Sequence, residues 1–139
     1  MTERDEGAVF AYPFQWSDER HVENPKSRTT CLAIRRKTAI FRGSAIVHLF
    51  LLGISDRPRP YQAAIEIPPM EKRRAGLHED RPAYVVISEY NYDALPHSWH
   101  YEPNSTDYGS FSPAFTERVR RDFLQRIKDR LTARSDRTA

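Results

Sequence analysis

Two short stretches of this chain carry the groups needed to grip a phosphate. Lys26-Ser27-Arg28 leads into the apolar run Thr30 to Ile34, and a second run, Ala45 to Leu52, ends in Gly53-Ile54-Ser55-Asp56. An arginine just before one strand and a hydroxyl just after the next can meet at one end of a small barrel. Arginine offers a fixed fork of donors to two phosphate oxygens, and serine adds one more. The pairing points to nucleic-acid chemistry without a metal. Arg28 and Ser55 are the candidate catalytic pair. The competing readings are a surface cation at a strand start for Arg28 and a turn residue in Ser-Asp-Arg-Pro for Ser55.

The elements around them follow from pattern. Val9 to Trp16 is aromatic-rich and opens with a strand, with Pro13 marking its end. Ser17 to Lys26 is a polar loop that ends beside Arg28, which suits a mobile lid. Thr30 to Arg35 and Ala45 to Leu52 are strands around an Arg42-Gly43-Ser44 turn. Gln62 to Ile67 alternates and is predicted as a strand. Pro68-Pro69 starts a short helix stopped by Gly76, and Ala83 to Ser88 is a further strand. Glu89 to Gly109 is polar and turn-rich, with at most a short strand. Ser112-Pro113 begins a final helix whose Phe115, Val119, Phe123, Ile127 and Leu131 form one apolar stripe. The predicted fold is mainly β (α+β), a small barrel of antiparallel strands with a short helix and a C-terminal helix. Residues 1–131 form one domain, and 132–139 a charged, flexible tail.

Composition sets outer bounds. The chain has 139 residues, enough for one domain with its own core. No apolar run is long enough to span a bilayer, and the charged N-terminus lacks an apolar signal core. A single cysteine, Cys31, excludes an internal disulfide and fits the cytoplasm. Net charge is +3, and Lys26, Arg28, Arg35, Arg36, Lys37 and Arg42 form a basic block suited to an anionic partner or to a solvated hairpin.

Beside the pair, Lys26 and Ser27 are candidate substrate contacts. Glu66 faces the open end of the barrel or decorates a strand. Trp16, Tyr90, Tyr92 and Trp99 stack bases or serve as core or dimer contacts, and Trp16 is the candidate substrate contact among them. His97 and His100 lack the Cys or His companions of a metal site, so no metal and no cofactor are expected.

The order of these motifs resembles the PemK/MazF toxins of bacterial toxin–antitoxin pairs, above all a longer branch of PemK-like growth inhibitors. The resemblance rests on Ser27-Arg28-Thr29, Leu52-Gly53-Ile54-Ser55, Ala64-Ile65-Glu66-Ile67-Pro68, Glu71-Lys72-Arg73-Arg74-Ala75-Gly76-Leu77, Ala83-Tyr84-Val85-Val86-Ile87 and Tyr108-Gly109. It spans roughly residues 8–131. It implies an SH3-like barrel, a homodimer, a cognate antitoxin and metal-independent, sequence-specific cleavage of single-stranded RNA, leaving a cyclic phosphate and a 5′-hydroxyl. Arg28 and Ser55 take the catalytic positions. The chain departs from the pattern at Thr29 and Gly53, where the family has prolines, and Ser55 replaces its usual threonine. The alternative is a non-catalytic relative that binds nucleic acid or a protein target, as the CcdB-like gyrase inhibitors do.

Overall fold

The two apolar runs that flank the candidate pair lie against each other. In the computed structural model, which describes residues 3–22, 25–41 and 43–138, β1 (Ala8–Tyr12), β2 (Arg28–Phe41) and β3 (Ser44–Ser55) run antiparallel in that order. Gly43 turns the β2–β3 hairpin with φ +84°, a conformation that glycine adopts without strain. Arg42, the first residue of the predicted turn, lies outside the described residues.

β3 is the trunk of an eight-stranded sheet. Its C-terminal end pairs with β5 (Tyr84–Val86), which pairs in turn with β4 (Ala64–Glu66). Its middle pairs with β6 (Glu89–Leu95). At the far side β1 pairs with β7 (Asp107–Ser110). All these ladders are antiparallel, and the fold is mainly β with two helices. The strands do not close a barrel, because the path ends at β4 on one side and β7 on the other. Helix α1 (Pro69–Arg74) bridges those ends. A Cβ at Gly76 would lie 2.2 Å from the Tyr108 carbonyl oxygen, and one at Gly109 would lie 2.1 Å from that of Arg74. Glycine at both positions lets backbone approach backbone.

The sheet buries both faces. Val9, Cys31, Leu52 and Val85 pack on one side against helix α2 (Pro113–Lys128), while Phe10, Phe14, Leu32 and Leu51 fill the other. Burying each large side chain stabilises the fold by about 1.5–3 kcal/mol. Burial also pushes the Cys31 thiol up to about 12, so it stays protonated core.

Helix α2 begins as predicted, with the Ser112 hydroxyl accepting from the Phe115 N–H at 3.2 Å. It ends one turn early. Leu131 N–H donates to Arg126 O and Arg130 N–H to Ile127 O, with Arg130 at φ +57°. That is a Schellman stop with arginine in the left-handed position where glycine is usual. Leu131 is consequently 53% exposed rather than part of the stripe.

Two expectations are corrected here. Residues 133–136 are no flexible tail but strand β8 (Ala133–Asp136), parallel to β6, and the Ser135 and Arg137 side chains are buried. β6 itself is seven residues long and hides Glu89, Asn91 and Asp93. Each of these polar groups is matched. Asn91 exchanges two hydrogen bonds with the Gln15 backbone, and Asp93 accepts from Tyr12 and Ser98. Among the described residues, no helix is long and apolar enough to cross a membrane.

Candidate functional site

Strand register sets the geometry of the candidate pair. β2 and β3 pair Thr30 with Gly53, Cys31 with Leu52 and Leu32 with Leu51. The ladder ends at Thr30 and Gly53; Arg28, paired with Tyr12 of β1, and Ser55, paired with Tyr84 of β5, each lie two residues beyond it, at positions that the same register, if extended, would set opposite. Directly opposite residues project to the same face with Cβ atoms about 4.5–5.5 Å apart. Both side chains line one cavity of about 450 Å³.

Arg28 is held rather than loose. Its Nη1 donates to the Phe14 carbonyl at 3.0 Å and to Glu19 Oε1, while Nη2 donates to Glu19 Oε2 at 3.0 Å. The carboxylate thus takes the terminal edge of the guanidinium. The other edge, Nε with the second Nη2 hydrogen, has no partner among the described residues. The hydrogen bonds from Arg28, with its charge, hold the Glu19 carboxyl below its usual range, so this clamp is ionic at neutral pH.

Glu19 sits in a 3-10 turn, Ser17–Glu19, that is itself pinned. Buried Glu89 accepts from the Ser17 N–H at 2.7 Å and its hydroxyl at 3.1 Å. Arg20 reaches β8, donating to the Arg134 carbonyl at 2.7 Å. The start of the predicted lid is therefore an anchored turn that aims Arg28, while Glu23 and Asn24 of that loop lie outside the described residues.

Trp16 forms another wall. Its ring packs edge-on against Phe14, with centroids 4.7 Å apart, and lies over Gly53. A Cβ at position 53 would lie 2.5 Å from the indole, so glycine there makes room for Trp16. Of the four aromatics considered for stacking, Trp16 alone lines the cavity. Tyr90 is buried in the core, Tyr92 is half-buried beneath the Arg134 guanidinium, and Trp99 is exposed elsewhere.

The remaining sequence candidates are not brought into the cavity. Lys26 and Ser27 are exposed just outside it and do not line it. Glu66 shares a row with the pair, since it lies opposite Tyr84 and Tyr84 lies opposite Ser55. It is exposed beyond the cavity wall. The basic block is divided as well. Arg35 to Lys37 begin seven residues along β2 from Arg28, which is about 23 Å at the strand rise. His100 contacts Arg137 at 3.3 Å, and burial together with that cation lowers its pKa.

What gives the cavity its charge was not singled out from sequence. Arg57, Arg59 and Arg81 line it beside Arg28, with Asp56 as the one acid on its wall. Arg59 pairs with Asp18, whereas Arg57 and Arg81 have no ion pair among the described residues. Lys72, buried in α1, donates to the carbonyls of Glu79 at 2.9 Å and Arg81 at 2.8 Å, which fixes the loop that presents Arg81. The Arg57-Pro-Arg59-Pro run carried a signal, its charge, but reads locally as a chain break. Comparison with known protein families, with curated proteins and with solved structures finds no match.

Proposed function

We propose that this protein is a metal-independent endoribonuclease toxin that cleaves single-stranded RNA in the cavity beside Arg28 and Ser55. The observation that carries this reading is that both residues line one cavity rich in arginine. In such cleavage the ribose 2′-hydroxyl attacks the adjacent phosphate and the 5′-oxygen leaves. One proton departs with the attack and another is delivered to the leaving oxygen. Arg28 offers its unoccupied edge to the phosphate oxygens and neutralises the extra charge as it forms, while Ser55 donates to a non-bridging oxygen. Glu19 serves this by fixing the guanidinium before substrate arrives. Because DNA lacks the attacking hydroxyl, the chemistry selects RNA.

The wider reading follows the same resemblance. An SH3-like barrel is supported by α1, which spans the two open ends of the sheet. A homodimer is the assembly that the same resemblance implies. A cognate antitoxin would be the physiological inhibitor, and the cytoplasm the site of action.

The test is incubation of pure protein with a long RNA in EDTA. Fragments ending in a cyclic phosphate, with 5′-hydroxyl partners, are the expected products. If intact RNA is recovered at high enzyme concentration, the alternative holds, namely a relative that binds nucleic acid or a protein target without cutting.

A further inference from the structure

The cavity holds more positive charge than one phosphate needs. Arg28 and Ser55 suffice for the phosphate being cut, yet Arg57 and Arg81 also line the same space. Unlike Arg28 and Arg59, these two have no carboxylate partner among the described residues. Arg81 is exposed, but its backbone is held. The ammonium of Lys72, 7% exposed, is spent on the carbonyls of Glu79 and Arg81 and holds that loop against α1. On the other side, Arg57 N–H donates to Ser55 Oγ at 3.1 Å, so the turn carrying Arg57 is tied to the catalytic hydroxyl. Two exposed arginines without a carboxylate partner among the described residues, each on anchored backbone and lining a cavity of about 450 Å³, can offer donors to an anion.

We infer that Arg57 and Arg81 form a second phosphate subsite, which binds the backbone phosphate next to the one held by Arg28 and Ser55. This rests on the nucleic-acid reading of the cavity but not on cleavage. The minimal tight ligand is then single-stranded RNA with two consecutive phosphates, and a dinucleotide with one internal phosphate fills the first subsite alone.

The experiment uses 2′-O-methyl RNA, which cannot be cut. A labelled hexanucleotide is titrated by fluorescence anisotropy across a range of salt, and an unlabelled dinucleotide monophosphate competes with it. Arg57→Gln and Arg81→Gln should each weaken hexanucleotide binding by about tenfold, the loss typical of one charged hydrogen bond. Each should also flatten the plot of log affinity against log salt by about 0.7, one released counterion for single strands. The dinucleotide's affinity should not change. Arg81→Lys should keep the salt slope, since the charge remains. An unchanged slope in both glutamine variants would overturn the proposal, as would equal weakening of both oligonucleotides. If wild-type protein cuts no RNA yet the oligonucleotides behave as described, the subsite stands and the nuclease reading alone is lost.

Discussion

Gly53→Ala separates two accounts of an unusual residue beside the site. If Gly53 only loosens the strand end, alanine should stabilise the protein by about 0.5–1 kcal/mol through lower backbone entropy. The geometry argues the opposite. The new Cβ would lie 2.5 Å from Trp16 Cη2, 2.9 Å from Cζ2 and 3.1 Å from Phe14 Cε1. Carbon atoms settle about 3.5–4.0 Å apart, so the indole must retreat by about 1 Å. Phe14 is fully buried and gives little room. Overpacking of this kind costs about 1–3 kcal/mol. Set against the entropic gain, the net loss is about 0–2.5 kcal/mol, centred on about 1 kcal/mol, or about 3–4 °C in Tm for a chain of this size. The second tryptophan, Trp99, is 82% exposed, so a Trp99→Phe background leaves Trp16 as the sole reporter. In that background Gly53→Ala should lower Tm, shift Trp16 emission to the red and increase its quenching by acrylamide. A higher Tm with unmoved emission would refute the packing argument.

Further outcomes follow from the same contacts. Arg28→Ala should abolish RNA cleavage, and Ser55→Ala should cost about a hundredfold in rate; wild-type cleavage by Arg28→Ala on a gel would mean that the site is misassigned. Burial alone would raise the Glu71 carboxyl, but hydrogen bonds from the Ser112 hydroxyl and N–H, with the Arg74 charge, outweigh it and hold the group below its ordinary value. Its contribution is therefore present above the unfolded value, about 4.3, and lost as pH falls through the lower folded value. Glu71→Gln should flatten the fall of Tm between about pH 5 and 3, a window set by those values, and an unaltered slope would count against the carboxylate as the link between α1 and α2. Ending the chain after Thr132 should strip β8 from β6 and lower Tm sharply; an unchanged Tm would show that β8 contributes nothing.

Most elements could be read because their local signals agree with their packing. Gly76 stops α1 through a Schellman pair, Leu77 N–H to Lys72 O and Gly76 N–H to Arg73 O, and its positive φ is one that glycine tolerates. Ser112-Pro113 starts α2 for equally local reasons. The failures came where local and tertiary signals part. Arg130 ends α2 in a conformation that arginine adopts only under strain, so nothing in the composition marks the stop. β6 carries Glu89, Asn91 and Asp93 inward, reversing the usual pattern, and is stable because each finds a partner distant in sequence. β8 is a short charged strand whose backbone partner, β6, reads from sequence as at most a short strand.

The candidate site divides along the same line. Arg28 and Ser55 could be paired from sequence because each lies at the boundary of an apolar strand, and two neighbouring antiparallel strands necessarily bring such boundaries together. Their partners could not. Glu19 meets Arg28 only because Glu89, seventy residues further on, fixes the turn that carries it. Arg81 enters the cavity only because Lys72 spends its charge on two loop carbonyls. In sequence, Lys72-Arg73-Arg74 is one basic run within the short helix, yet its members do different work. Lys72 is a buried tether, Arg73 pairs with Glu79 at the surface, and Arg74 joins Glu71 at the start of α2. The charge on the cavity wall thus comes from residues whose own segments read locally as a chain break or a loop. Its location is set by buried hydrogen bonds, and these are what a reading of motifs alone leaves out.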